Sequence, residues 1–187
     1  AILLAAAGCR PAPPAEVASG PALDLVLSGD FPDPSIVRDG PDFYMTHTCW
    51  RYQPGLLVWH SRDLERWTPV AAALHKDVGE VWAPDLVLHE GRYSIYFPAD
   101  GVIWVVQAAR PEGPWSEPVC LGVKGIDPGH IATPEGGRFL FINGGSVMEL
   151  APDGLSVVGE PRKVYDGWAY PPDWVVECFC DESPKLL

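Results

Sequence analysis

The sequence predicts an all-β fold and, within that class, a β-propeller made of four-stranded blades. Three observations carry this. The 187 residues include 19 glycines and 21 prolines, and breakers at that density do not fit inside helices. Hydrophobic residues make up 47% of the chain, enough for a core, so a disordered chain is excluded. A two-hairpin layout also recurs along the chain, with its turn glycines Gly40, Gly91 and Gly136 lying 51 and 45 residues apart. That period and content match one propeller blade per repeat. A β-sandwich would supply short strands without placing an Asp at the head of each unit.

Residues 1–9 (AILLAAAGC) resemble the end of a bacterial lipoprotein signal peptide, with Gly8 and Cys9 at the cleavage and lipidation site. Ala6 stands where such leaders usually carry Leu. Neither Met nor a basic region precedes the run, so the chain is expected to begin inside its own leader. Residues 10–27 read as a linker, Pro/Ala-rich over Arg10–Pro21, which tethers without folding. The expected location is therefore the cell envelope or the exterior, with the membrane reached only through a lipid on Cys9. No other run of about 20 apolar residues exists to span a bilayer.

Residues 28–187 hold the repeat. Asp33–Thr46 (DPSIVRDGPDFYMT), Asp85–Phe97 (DLVLHEGRYSIYF) and Asp127–Phe141 (DPGHIATPEGGRFLF) each start at an Asp and run through a short apolar strand. Each then turns at Asp39-Gly40, Glu90-Gly91 or Glu135-Gly136, where glycine supplies the positive φ of a tight hairpin, and returns through an aromatic strand. Leu57–Trp67 and Val105–Trp115 repeat as strand, polar turn and Trp, and Val147 onwards is a weaker third copy. A fourth unit begins near Asp173 and stops in its first strand. Three blades and a stub cannot close a ring, so the chain is expected to be a fragment.

The first strand of every blade lines the propeller axis, so residues at its head converge on one funnel. Asp33, Asp85, Asp127 and Glu182 are expected there, 52, 42 and 55 residues apart. Converging carboxylates repel, and their pKa values are pushed apart, which suits one to act as base and another as acid. Glycoside hydrolysis uses such a pair. Any single Asp-Pro step is also an ordinary turn starter; recurrence in phase with the blades favours the functional reading. Asp39, Asp153 and Asp181 read as turn or surface acids.

The segments GDFPDPSIVRDG, EVWAPDLVLHEGRY, GIDPGHI and ESPKLL resemble the four axial motifs of family 43 glycoside hydrolases. The resemblance covers residues 28–187. It implies a five-bladed β-propeller, of which this chain holds about three blades and the start of a fourth, and removal of arabinofuranosyl or xylosyl residues with inversion. It further implies that Asp33 is the general base, Glu182 the general acid and Asp127 the residue that orients the acid and raises its pKa. By the same likeness Asp85 lies near the sugar, in binding rather than proton transfer. Ser183 replaces the glycine of the family's Glu-Gly-Pro motif. The family's fifth blade often carries an axial His, sometimes beside a cation such as calcium, and that region lies beyond Leu187. No cofactor and no metal ligand set is implied by the residues present.

Other candidates are weighed by residue type. Trp82, beside Pro84-Asp85, is the best sugar platform, and Trp50 is a second; Trp104 fits a stacking or a packing role. Trp67 and Trp115 are assigned to structure. His130 is expected to line the pocket or pack there rather than ligate, and His47 lies close to a motif strand. Cys49, Cys120, Cys178 and Cys180 fit no metal spacing and read as core thiols. Glu177, in VVECFC, is the rival to Glu182 and looks like approach strand. Asp and Glu number 25 against 13 Lys and Arg, a net charge of −12, which repels phosphate backbones and excludes a nucleic-acid partner. The expected partner is a carbohydrate substrate. A related five-bladed fructoside hydrolase and a non-catalytic carbohydrate-binding propeller are the alternatives.

Overall fold

The structure, a computed structural model, describes residues 25–167, 169–176 and 181–184. Cys9, Glu177, Cys178 and Cys180 lie outside the described residues. Three four-stranded antiparallel sheets form among the described residues, each with its strands in chain order. The first holds β1 (Ser35–Asp39), β2 (Asp42–Thr46), β3 (Gly55–Ser61) and β4 (Thr68–Leu74). The second holds β5 (Asp85–His89), β6 (Arg92–Ala99), β7 (Val102–Ala108) and β8 (Val119–Lys124). The third holds β9 (Gly129–Ala132), β10 (Arg138–Ile142), β11 (Ser146–Leu150) and β12 (Val157–Lys163), with a short 3-10 turn at Asn143–Gly145. Strand β1 packs on β5 and β5 on β9. The first strand of each blade therefore lines one axis.

Local chemistry sets the hairpins. Between β5 and β6, Glu90 and Gly91 take φ of 49° and 73°, the double positive pair of a tight two-residue turn. Asp100-Gly101 does the same between β6 and β7, at 47° and 75°. Trp67 and Trp115 both donate their indole N–H to a carbonyl of the preceding turn, Leu64 at 3.0 Å and Pro111 at 3.0 Å. The repeated Trp is thus a turn brace.

Packing follows the two-residue period of the central strands. In β6, Tyr93, Ile95 and Phe97 enter the core shared with the first blade, beside Leu56, Val58 and Leu74. Tyr96, between them, enters the core shared with the third blade, beside Leu140, Met148 and Leu150. In β7, Val106 faces the first core while Ile103 and Val105 face the second. The second blade is thus buried on both faces, and each such side chain contributes about 1.5–3 kcal/mol. Cys49 belongs to this core, and burial pushes its thiol pKa up. Cys120 does not: it sits at an outward position of β8, where exposed and partly buried residues alternate, and it faces solvent.

Polar contacts stitch the blades where apolar packing ends. The Asp85 carboxylate accepts the Ser35 hydroxyl of the first blade at 3.3 Å and the His130 backbone N–H of the third at 2.8 Å. Ser35 Oγ also accepts the Leu86 N–H at 2.9 Å. Asp39, expected to be a mere turn acid, accepts the Tyr93 hydroxyl at 2.5 Å and so joins blades one and two. Buried Arg138 donates within the third blade to His130 Nε2 at 3.1 Å and the Pro152 carbonyl at 2.9 Å, and across to the second blade at Tyr96 Oη, 3.1 Å. Tyr96 passes its own proton to the Gly154 carbonyl at 3.0 Å. His130 stacks on Tyr96 at 5.7 Å. Burial, then the neighbouring guanidinium, hold its pKa down to about 4.

Two outcomes follow for stability, each read by urea unfolding of the full-length protein. Arg138→Met strands three acceptors and should cost on the order of 3 kcal/mol, whereas Tyr96→Phe should cost about 1 kcal/mol. His130 is neutral in the fold but takes a proton near pH 6.5 when unfolded. Its contribution is therefore complete above pH 6.5 and is lost as pH falls towards 4, by about 1–3 kcal/mol. His130→Gln should flatten that part of the stability–pH curve; an unchanged slope would show that other groups carry it.

Candidate active site

The site is built on X-Pro steps. Asp33-Pro34 and Asp127-Pro128 stand immediately ahead of β1 and β9, and Ala83-Pro84 stands ahead of β5. Ser183-Pro184 repeats the step in the fourth unit. Asp33, Asp127 and Ser183 have φ of 55°, 54° and 53°, the left-handed region that costs a non-glycine residue about 1 kcal/mol or more. The recurring landmark is therefore the X-Pro step rather than the acid. Asp33 and Asp127 share one position; Asp85 stands two residues later, as the first residue of β5, and Glu182 stands one residue earlier than its unit's X-Pro.

These steps converge. Asp33-Pro34, Ala83-Pro84, Asp127-Pro128 and Ser183 line one recess of about 210 Å³ at the mouth of the axis. A channel runs on between the first strands, lined by Ser35, Asp85, His89 and His130 among others. The structure thus brings Asp33 and Asp127 together, puts Ser183 against them, and leaves Asp85 and His130 in the channel, engaged with each other across blades. Glu182 is exposed beside Ser183.

The two aspartates differ in surroundings. Asp127 is buried, and its Oδ2 accepts the Ser183 N–H at 3.0 Å, with the Ser183 hydroxyl at 3.5 Å. Asp33 is exposed, and its Oδ2 accepts the Thr48 hydroxyl at 2.6 Å. Asp127 is thus a buried carboxylate tied to the fourth unit, and Asp33 an open one tied to its own blade.

The aromatic candidates sit further out. Trp50, at φ 52°, is 38% exposed and donates its indole N–H to Asp30 at 3.3 Å. Its backbone exchanges two 2.9 Å bonds with Val81, and Val81 also bridges to Ala99. Trp82 is partly buried, and its Nε1 has no hydrogen-bond partner among the described residues. Trp104 packs against the first core. His47 is buried, with its ring against Phe31 at 4.8 Å. Among the described residues no group of three or more His, Cys, Asp or Glu side chains is gathered to hold a metal ion.

Thr48 and Ser183 are the site residues that residue type alone does not reveal. Hairpin register does reveal Thr48. Ser35 pairs with Thr46, so two residues further along each strand Asp33 meets Thr48. Ser183 is visible only as the partner of Pro184, since nothing in a serine marks it for a carboxylate 56 residues away.

The family model for glycosyl hydrolases family 43 matches residues 24–187. A xylan 1,3-β-xylosidase from a Vibrio species is 33% identical over 87% of this chain and 35% of its own length. A non-reducing end α-L-arabinofuranosidase from Bacteroides ovatus is 36% identical over 55% of this chain and 22% of its own. Among solved structures, the family 43 protein BlXynB from Bacillus licheniformis superimposes with a TM-score of 0.70 at 28% identity, over 77% of this chain and 33% of that one. The chain thus spans about a third of the length of the xylosidase and of BlXynB. Three sheets of four antiparallel strands agree with this match, and the chain belongs to glycosyl hydrolases family 43.

Proposed function

We propose that the full-length protein is an inverting glycoside hydrolase that removes α-L-arabinofuranosyl or β-xylosyl residues from plant-type polysaccharide or oligosaccharide. The observation that carries the reading is the convergence of Asp33 and Asp127 on one recess with Glu182 next to its rim. The names of the relatives, a xylosidase and an arabinofuranosidase, support the substrate class. Export, with a lipid on Cys9, belongs to the same reading and rests on the leader-like residues 1–9.

In this mechanism Asp33 takes a proton from a water as its oxygen attacks the anomeric carbon. Glu182 gives its proton to the glycosidic oxygen as that bond breaks from the opposite face. Asp127 acts through its surroundings. It accepts the Ser183 N–H one residue from Glu182, so it holds in place the segment that presents the acid. A binding-only propeller has no use for this division of labour.

Two experiments on the full-length enzyme test the roles. Asp33→Asn keeps the shape but cannot take the proton, and turnover of aryl arabinofuranoside and xyloside should fall at least about 10²–10⁴-fold with sugar binding retained. Turnover within tenfold of wild type would remove Asp33 from the reaction. Glu182→Gln should slow substrates with poor leaving groups severely and activated aryl glycosides much less, since a good leaving oxygen needs little protonation. If Glu177→Gln shows that dependence instead, the acid is Glu177. Proton NMR of the first-formed sugar should show the inverted anomer, and a covalent glycosyl-enzyme would contradict the mechanism.

A further inference from the structure

We infer that Thr48 is a positioning residue for the reaction: its hydroxyl fixes one oxygen of Asp33 and so selects the other as the proton acceptor. The inference rests on the reading of Asp33 as general base. Thr48 Oγ1 donates to Asp33 Oδ2 at 2.6 Å, a short, charge-assisted bond. Oδ1 accepts no bond among the described residues, so it is the oxygen left to meet a water. A carboxylate free to rotate would offer either oxygen at any angle; one pinned by its neighbour offers a single lone-pair direction.

Thr48 is itself held on every side. It is 1% exposed. Its N–H donates to the Pro32 carbonyl at 3.0 Å, on the residue before Asp33. Its carbonyl accepts Nδ1–H of His47 at 2.7 Å, and the His47 ring is wedged against Phe31 and Trp59. The β-branched side chain then has one rotational freedom, which the bond to Asp33 uses. The hydroxyl is thus fixed to the backbone that carries the carboxylate.

The other blades show that the fold does not demand this contact. Extending the β9–β10 register in the same way sets Asn143 opposite Asp127. There the Asn143 side chain turns to the Ile126 N–H at 2.9 Å and leaves Asp127 to Ser183. In the second blade Pro98 stands opposite Ala83, and its carbonyl accepts the Trp82 N–H at 3.2 Å. One framework position therefore has three chemistries, and of the three residues that occupy it only Thr48 donates a hydroxyl to the aspartate opposite.

The test uses the full-length enzyme with Thr48→Val, which keeps shape and loses the hydroxyl, and Thr48→Ser, which keeps the hydroxyl. The expected result is that Thr48→Val lowers kcat about 10- to 100-fold with KM within about twofold, while Thr48→Ser stays within about threefold of wild type. The Val effect should also shrink to less than about threefold in an Asp33→Asn background, because the two groups act as one unit. Thr48→Val within twofold of wild type, beside an inactive Asp33→Asn, would overturn the positioning role and leave the base assignment standing. Equal losses in the Val and Ser variants, with lowered melting temperatures, would also overturn it in favour of packing. An active Asp33→Asn would instead overturn the base assignment on which the role rests.

Discussion

The arrangement of the three blades depends on the Asp85 carboxylate. One oxygen takes a hydroxyl from the first blade and the other a backbone N–H from the third, so a single side chain sets the spacing of three strands that share no ladder with one another. Apolar packing alone is non-directional and tolerates sliding. A carboxylate that accepts from both sides does not. Because Asp85 opens β5, its bonds lie one turn of chain from Ala83-Pro84 at the recess. The contact that aligns the blades therefore adjoins, along the chain, a wall of the recess.

At the mouth the protein accepts backbone strain in exchange for direction. Asp33 and Asp127 hold left-handed φ directly before proline, a setting that steric preference disfavours. Each is stabilised by a donor from another segment, Thr48 in one case and Ser183 in the other. Ser183 occupies the same strained conformation where a glycine would be relaxed.

Much of this was legible in the residues. Acidic-Gly pairs locate the first hairpin of each blade, and the repeated Asp-Pro locates Asp33 and Asp127, because turn chemistry is local and strongly constrained by φ. Other features depend on partners distant in sequence. Asp85 reads like a third member of an acidic ring, yet it stands two residues out of phase, since proline rather than aspartate marks the register. Asp39 reads like any turn acid until Tyr93, 54 residues away, reaches it. Cys120 reads like a core thiol because outer strands are half apolar, and only the pleat decides which way it points.

The backbone bridges from Trp50 to Val81 and from Val81 to Ala99 give the mouth a property that neither loop has alone. Thr48 lies two residues before Trp50, and Pro84 lies three residues after Val81. The segment that presents the hydroxyl to Asp33 and the segment that forms the second wall of the recess are therefore mechanically in series. A displacement of either is transmitted to the other through two 2.9 Å bonds rather than absorbed by a slack loop. Errors in placing the reacting group and in placing the wall are correlated, so the gap between them varies less than either position does.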